Sequence, residues 1–299
     1  MAGQLKESED FCSLELVENN LTKYRNLKKE KKIDSIRIIL KESLECAETL
    51  NATELKADIL LYLGMNELKE IGPRDAPSKY FLESLALYTE LNNSEKISDC
   101  YLQLGIVNFD IRNFESAVGY FENIIKLDVE NKTKLNYAYY LNALSYSELN
   151  TFDKAEEMFE LALNNFSAQD SSFYLQILSY EGKMFLNKGD SEKGIQLLEN
   201  TLKNYHPSIL KDGYSPIYAF LATGYYQLED YKQAIAYGKL AYDKSHGKFK
   251  GSHSVSHREA LSTLHKSYLA INQMERAYFY LNALRTLDES IANNQVLQR

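Results

Sequence analysis

Tryptophan is absent from the 299-residue chain, and only 4 prolines and 13 glycines interrupt it. So few breaking residues argue against a loop-rich or all-β fold and leave room for long helices. Cysteine is scarce too. Cys12, Cys46 and Cys100 have neither metal-ligand nor redox-motif spacing, and their simplest reading is as thiols in a reducing compartment. No apolar run reaches the roughly 18 residues that suggest a membrane span. The start, MAGQLKESEDFCSLE, lacks the apolar core of a secretion signal. No phosphate-binding glycine loop, nucleophile elbow or HExxH motif occurs, so catalytic, cofactor and metal residues are all expected to be none. A net charge of −8 argues against nucleic acid as a direct partner. The charge is uneven. Residues 201–299 carry 12 basic and 8 acidic side chains, a net of +4, together with all 5 histidines. This basic third is a candidate meeting place for something acidic.

A repeat dominates what is present. Gly64, Gly105, Ala143, Gly182, Ala222 and His265 stand at steps of 41, 38, 39, 40 and 43 residues. About a dozen residues after most of them comes an alanine: Ala117, Ala155, Ala234 and Ala277. In the clearest unit, Tyr101, Leu104 and Gly105 fall on one face of a first helix. Gly105 lets a second helix approach, and Ala117 does so from the other side. Phe121 then fills the space between hairpins, and DIRNFES makes the turn. The fourth unit carries the pattern as Tyr139, Ala143, Tyr146, Ala155, Phe159 and Ala162, and the sixth as Tyr218, Ala222, Tyr225, Ala234 and Ala241. In the fifth, Gly194 replaces the packing alanine, which predicts a softer helix. The second has an irregular turn, EIGPRDAPSKYF, and the first is degenerate, with IDSIRIILKESLECAETL as its second helix.

These residues resemble the tetratricopeptide repeat (TPR) family over nearly the whole chain. The fold implied is all-α, a right-handed superhelical solenoid of about seven TPR-like hairpins. Its expected divisions are residues 1–56 (N-terminal helices and degenerate first repeat), 57–285 (six repeats) and 286–299 (a C-terminal helix linking to a missing effector). The usual repeat is about 34 residues, and the longer step here is similar to the long-repeat type of bacterial signalling regulators. AYFYLNALRTLDESIANNQVLQR resembles the last hairpin of Bacteroidetes-type regulators, where a long helix leads into an effector. A quorum-regulator version with an N-terminal DNA-binding domain fits less well, because the first repeat begins by about residue 17. KYRNLKKEKK is read as the solvated face and turn of the first hairpin.

Stacked hairpins present a concave groove lined by first helices. The resemblance places Asp99, Leu102, Ile106 and Phe109 there from the third unit, and Tyr137, Tyr140, Leu144 and Ser147 from the fourth. The fifth offers Gln176, Ser179, Lys183 and Leu186, and the sixth Ala219, Thr223 and Tyr226. The seventh offers Glu259, Ser262, Lys266 and Leu269. This wall suits a peptide or protein segment: rings give contact area, and Lys183 and Lys266 can take a carboxylate. The chaperone-type carboxylate clamp is missing, since Leu102, Ile106, Leu141 and Tyr180 occupy its positions. HGKFKGSHSVSH, with His246, His253 and His257, reads as a longer loop before the last repeat. Its Lys244, Lys248 and Lys250 are read as a solvated loop first and as contacts for something acidic second, and a histidine metal site is the weakest reading. The expected role is therefore a non-enzymatic, cytoplasmic recognition module, the sensory segment of a bacterial signal-transduction or transcription regulator. A free-standing adaptor is the alternative. The exposed last helix leaves a homodimer open.

Overall fold

The computed structural model describes residues 12–30, 32–68, 75–127, 130–164, 172–204, 214–245 and 252–296, with side chains described outside 75, 214–215, 245, 252–254 and 291–296. Fourteen helices and no strand occur among the described residues. They run as α1 Leu14–Glu30, α2 Ile33–Thr49, α3 Thr53–Glu67, α4 Asp75–Glu90, α5 Ser94–Asp110, α6 Phe114–Lys126 and α7 Lys132–Glu148. There follow α8 Phe152–Asn164, α9 Ser172–Lys188, α10 Ser191–Asn204, α11 Tyr214–Gln227, α12 Tyr231–Ser245, α13 Ser252–Ala270 and α14 Met274–Val296. Consecutive helices pair as seven hairpins, the first being the degenerate repeat. Two compact units divide the chain between Glu130 and Asn131. No helix among the described residues is long and apolar enough to cross a membrane.

The last five hairpins turn in one way. Arg112, Asn150, Gly189, Glu229 and Asn272 adopt left-handed φ values between 56° and 91°. The N–H of the next residue then donates to a carbonyl five positions back, as from Asn113 to Asn108 and from Asp230 to Tyr225, at 2.8 and 2.9 Å. This closure satisfies the last carbonyls of the first helix. The same next residue caps the second helix: the Asp190 and Asp230 carboxylates accept from the N–H groups of Lys193 and Gln233.

Packing follows the repeat. The Phe81 ring lies against Gly64 and the Phe121 ring against Gly105, where a β-carbon would collide with them. In the first unit Val17, Tyr24, Ile36, Leu40, Ile59 and Leu63 join the degenerate hairpin to α3. In the second, Leu175, Leu186, Ile195, Leu198, Ile217, Phe220 and Leu221 join α9, α10 and α11. The basic KYRNLKKEKK stretch is mostly solvated, and its one ring, Tyr24, is buried and stacks on Tyr62 at 4.9 Å.

Three local expectations are corrected. Cys12 and Cys46 are joined as a disulfide with Cα atoms 5.0 Å apart, while Cys100 is a buried thiol. DAPSKYF is the start of α4, not turn; Pro77 falls in the first helical turn, where its missing N–H costs nothing. The SHSVSH segment is the first turns of α13 rather than loop, held by Ser256 and His257, which are buried. Gly194 also has a packing role. An added β-carbon there would lie 2.9 Å from the Gly182 carbonyl oxygen and 2.7 Å from Leu186, so two glycines let α9 and α10 approach backbone to backbone. His206, His246, Lys248, Lys250 and residues 70–74 of the irregular turn lie outside the described residues, as does the His253 side chain.

Candidate functional site: the first-helix face of the second unit

Four first helices of the second unit, α7, α9, α11 and α13, lie side by side and share one continuous seam of side chains. Tyr137 and Tyr140 stand on α7 with ring centroids 6.3 Å apart. Both meet Phe173 of α9, at 5.6 and 5.3 Å. Tyr140 also packs edge-on against Tyr180, at 6.1 Å, and Tyr180 in turn against Phe220 of α11, at 5.4 Å. Edge-to-face contacts of this kind fix ring orientation. The Lys183 ammonium sits 5.4 Å from the Phe220 ring centroid. It reaches past α11 to Glu259 of α13, with Nζ 4.0 Å from the carboxylate. Between α11 and α13 the Thr223 and Thr263 hydroxyls are 3.2 Å apart.

The electrostatics exclude ionised phenols. Burial raises Tyr140 and Tyr180, the latter to about 12, so both stay neutral at ordinary pH. Tyr140 is hydrogen-bonded to Gln176. Burial also raises the Glu259 carboxyl, against the opposing charges of Lys183 and Lys266. Lys183 and Glu259 keep only 19% and 22% of their side-chain surface exposed, and their 4.0 Å separation exceeds hydrogen-bond length. Both therefore retain hydrogen-bonding capacity toward a third group.

The expected groove residues divide into three sets. Tyr137, Tyr140, Gln176, Lys183 and Thr223 are brought together in the seam, with Leu144 half-buried on the same helix as the tyrosines and Lys266 exposed on α13. Tyr140 is 2% exposed, so it forms wall more than contact surface. Tyr226 packs on Tyr231 across its hairpin turn, at 5.8 Å. Asp99, Leu102, Ile106 and Phe109 lie on α5 in the first unit, where Phe109 packs edge-on against Phe114 at 5.3 Å. Sequence reasoning missed Phe173, Tyr180, Phe220 and Thr263. Tyr180 and Phe220 hold the same place, two residues after Leu178 and Tyr218, in successive repeats. Aligning the units by that position would have found them.

No group of three or more metal-ligating side chains occurs among the described residues. His257 stacks on Tyr242 at 5.2 Å, and His265 Nδ1 lies 3.0 Å from the Ala277 carbonyl oxygen. Both are structural contacts.

No family model matches the chain, and no curated protein resembles it in sequence. Solved structures do resemble it. A tetratricopeptide repeat protein from Parabacteroides merdae matches at 16% identity and a TM-score of 0.65, covering 95% of this chain and 98% of its own. A Rap protein complexed with competence and sporulation factor matches at 15% and 0.62, covering 98% and 81%. The apo form of RapI matches at 12% and 0.65, covering 93% and 99%. At such identities the likeness concerns architecture, and the fold is that of the TPR-like helical-repeat proteins.

Proposed function

We propose that the chain is a non-enzymatic peptide-recognition module, the sensory segment of a bacterial signal-transduction or transcription regulator, and that the first-helix face of its second unit binds the peptide. The observation that carries this is the seam running from Tyr137 through Phe173, Tyr180 and Phe220 to the loosely made Lys183–Glu259 pair. Rings offer contact area at low entropic cost, and an under-coordinated lysine offers a carboxylate its strongest hydrogen bonds. A neighbour of the same architecture was solved with competence and sporulation factor, which supports a binding role for such a fold. The Cys12–Cys46 link removes the cysteine argument for the cytosol and favours a compartment in which a disulfide persists.

The test is affinity selection on the full chain from random peptides with free C-terminal carboxylates, followed by calorimetry. Enriched peptides carry a carboxylate and an aromatic or large apolar side chain. Lys183→Met and Tyr137→Ala each weaken them by about tenfold, or 1.4 kcal/mol. Enrichment that ignores both substitutions overturns the assignment to this face.

A further inference from the structure

The last helix offers a second surface, independent of the groove. In the three final hairpins the turn fixes a common register: Asp190, Asp230 and Gln273 each directly precede the second helix. Counting from there, one stripe of the second helix falls at steps of four, three and four. It is Ser191, Ile195, Leu198 and Leu202 on α10, and Tyr231, Ile235, Gly238 and Tyr242 on α12. On α14 it is Met274, Tyr278, Leu281 and Arg285.

In the inner hairpins this stripe is the seat of the next first helix. Ile195, Leu198 and Leu202 pack with Ile217, Phe220 and Leu221 of α11, and an added β-carbon on Gly224 would lie 2.7 Å from Ile195. Ile235 and Tyr242 pack with Leu264 and Tyr268 of α13, and Gly238 faces Leu264 so closely that an added β-carbon would lie 2.9 Å from it. On α14 the same stripe is open: Met274 is 58% and Tyr278 64% exposed. A stripe built to receive a helix thus stands without one among the described residues.

Its fourth residue identifies the occupant. Where α10 and α12 carry Leu202 and Tyr242, α14 carries Arg285, whose ion pair with Glu289 is long at 3.8 Å and exposed on both sides. Such a pair contributes little. A further repeat helix of the kind that covers α10 would bury the guanidinium where Leu202 meets the apolar cluster of Ile217, Phe220 and Leu221. An antiparallel second α14, centred between Leu281 and Asn282, instead sets Tyr278 of each protomer under Arg285 of the other, twice. It also sets Met274 along the stem of Glu289. A guanidinium over a phenol ring is a favourable pairing, and a two-fold axis satisfies both copies with the same residues. We infer that the chain forms a two-fold dimer through the Met274–Tyr278–Leu281–Arg285 stripe of α14.

Sedimentation velocity of the full chain tests this with three proteins. The unaltered chain gives a concentration-dependent dimer at or below about 100 µM. Tyr278→Arg, which opposes arginine with arginine at both ends, weakens the dimer by about tenfold or more. Adding Arg285→Tyr to that variant restores the ring–guanidinium pairing with the partners exchanged, and brings the dissociation constant back to within about threefold. Both positions are exposed, so circular dichroism of the variants follows the parent, as does the melting temperature at concentrations where every protein is monomeric. A monomer throughout that range overturns the inference and leaves the stripe to a different helix. A dimer indifferent to Tyr278→Arg, or a folded double variant that stays monomeric, overturns it equally.

Discussion

Glu181 occupies a position that its counterparts Leu104, Leu221 and Leu264 fill with a buried apolar side chain. Burial first, then the charges of Glu156 and Glu160 on α8, raise its carboxyl to about 7 against the opposing charge of Lys193 on α10. The folded chain thus holds a proton here that the unfolded chain gives up from about pH 4.5. Stability falls as pH rises from there to about 7, and the whole penalty stands above 7. Glu181→Gln should stabilise the fold at pH 8 by on the order of 1–2 kcal/mol, read as a higher melting temperature, and by much less at pH 5. Equal gains at both values would contradict this. Glu156 has the opposite sign: it is held below its usual range chiefly by the Lys193 hydrogen bond, so its contribution is lost only as pH falls. Gly194 gives a second residue-level test. Alanine there improves helix propensity, yet its β-carbon meets the Gly182 carbonyl. Gly194→Ala should lower stability by about 1–3 kcal/mol, read as a lower urea midpoint.

At the scale of elements, turns were more legible than helix starts. Asn150, Gly189 and Asn272 are residue types that tolerate left-handed φ, and each sits where the repeat spacing puts a turn. Glu229 sits in the same conformation without that tolerance, and Glu229→Gly should stabilise the sixth hairpin by about 1 kcal/mol in thermal melts. Proline signals a turn at the start of α4, and glycines and serines signal a loop at the start of α13. At α13, burial of Ser256 and the stacking of His257 on Tyr242 override that local preference, and neither contact has a sequence signature. The disulfide was missed for a related reason: Cys12 and Cys46 lie 34 residues apart, and only the hairpin brings them together. It closes a loop whose constraint is worth about 3–4 kcal/mol. Thiol titration in denaturant should find one reactive group per chain before reduction and three after. In the native chain Cys100, buried and raised to about 11, should react with none of the reagent at pH 8.

For the molecule as a whole, the repeat made the fold legible and left the ligand obscure for one physical reason. Gly64, Gly105, Ala117, Phe121 and Ala155 recur because helices must pack, and packing is the same whatever is bound. Groove positions are free to differ from unit to unit. Tyr137, Gln176, Lys183 and Thr223 were placed on their helices by register, but register alone does not show that Phe173, Tyr180 and Phe220 complete the row. Lys183 offers the sharpest point of attack, since it lies within the seam and faces Glu259 without a made hydrogen bond. The measurement that tests peptide recognition most directly is calorimetric titration of the full chain with the peptide enriched by selection, set beside its C-terminal amide and the Lys183→Met variant. Recognition through this face requires that binding to the parent be lost or weakened about tenfold by both changes, or, where an internal acidic side chain supplies the carboxylate, by Lys183→Met alone. Equal affinity for parent and Lys183→Met would contradict it and place the peptide elsewhere on the chain.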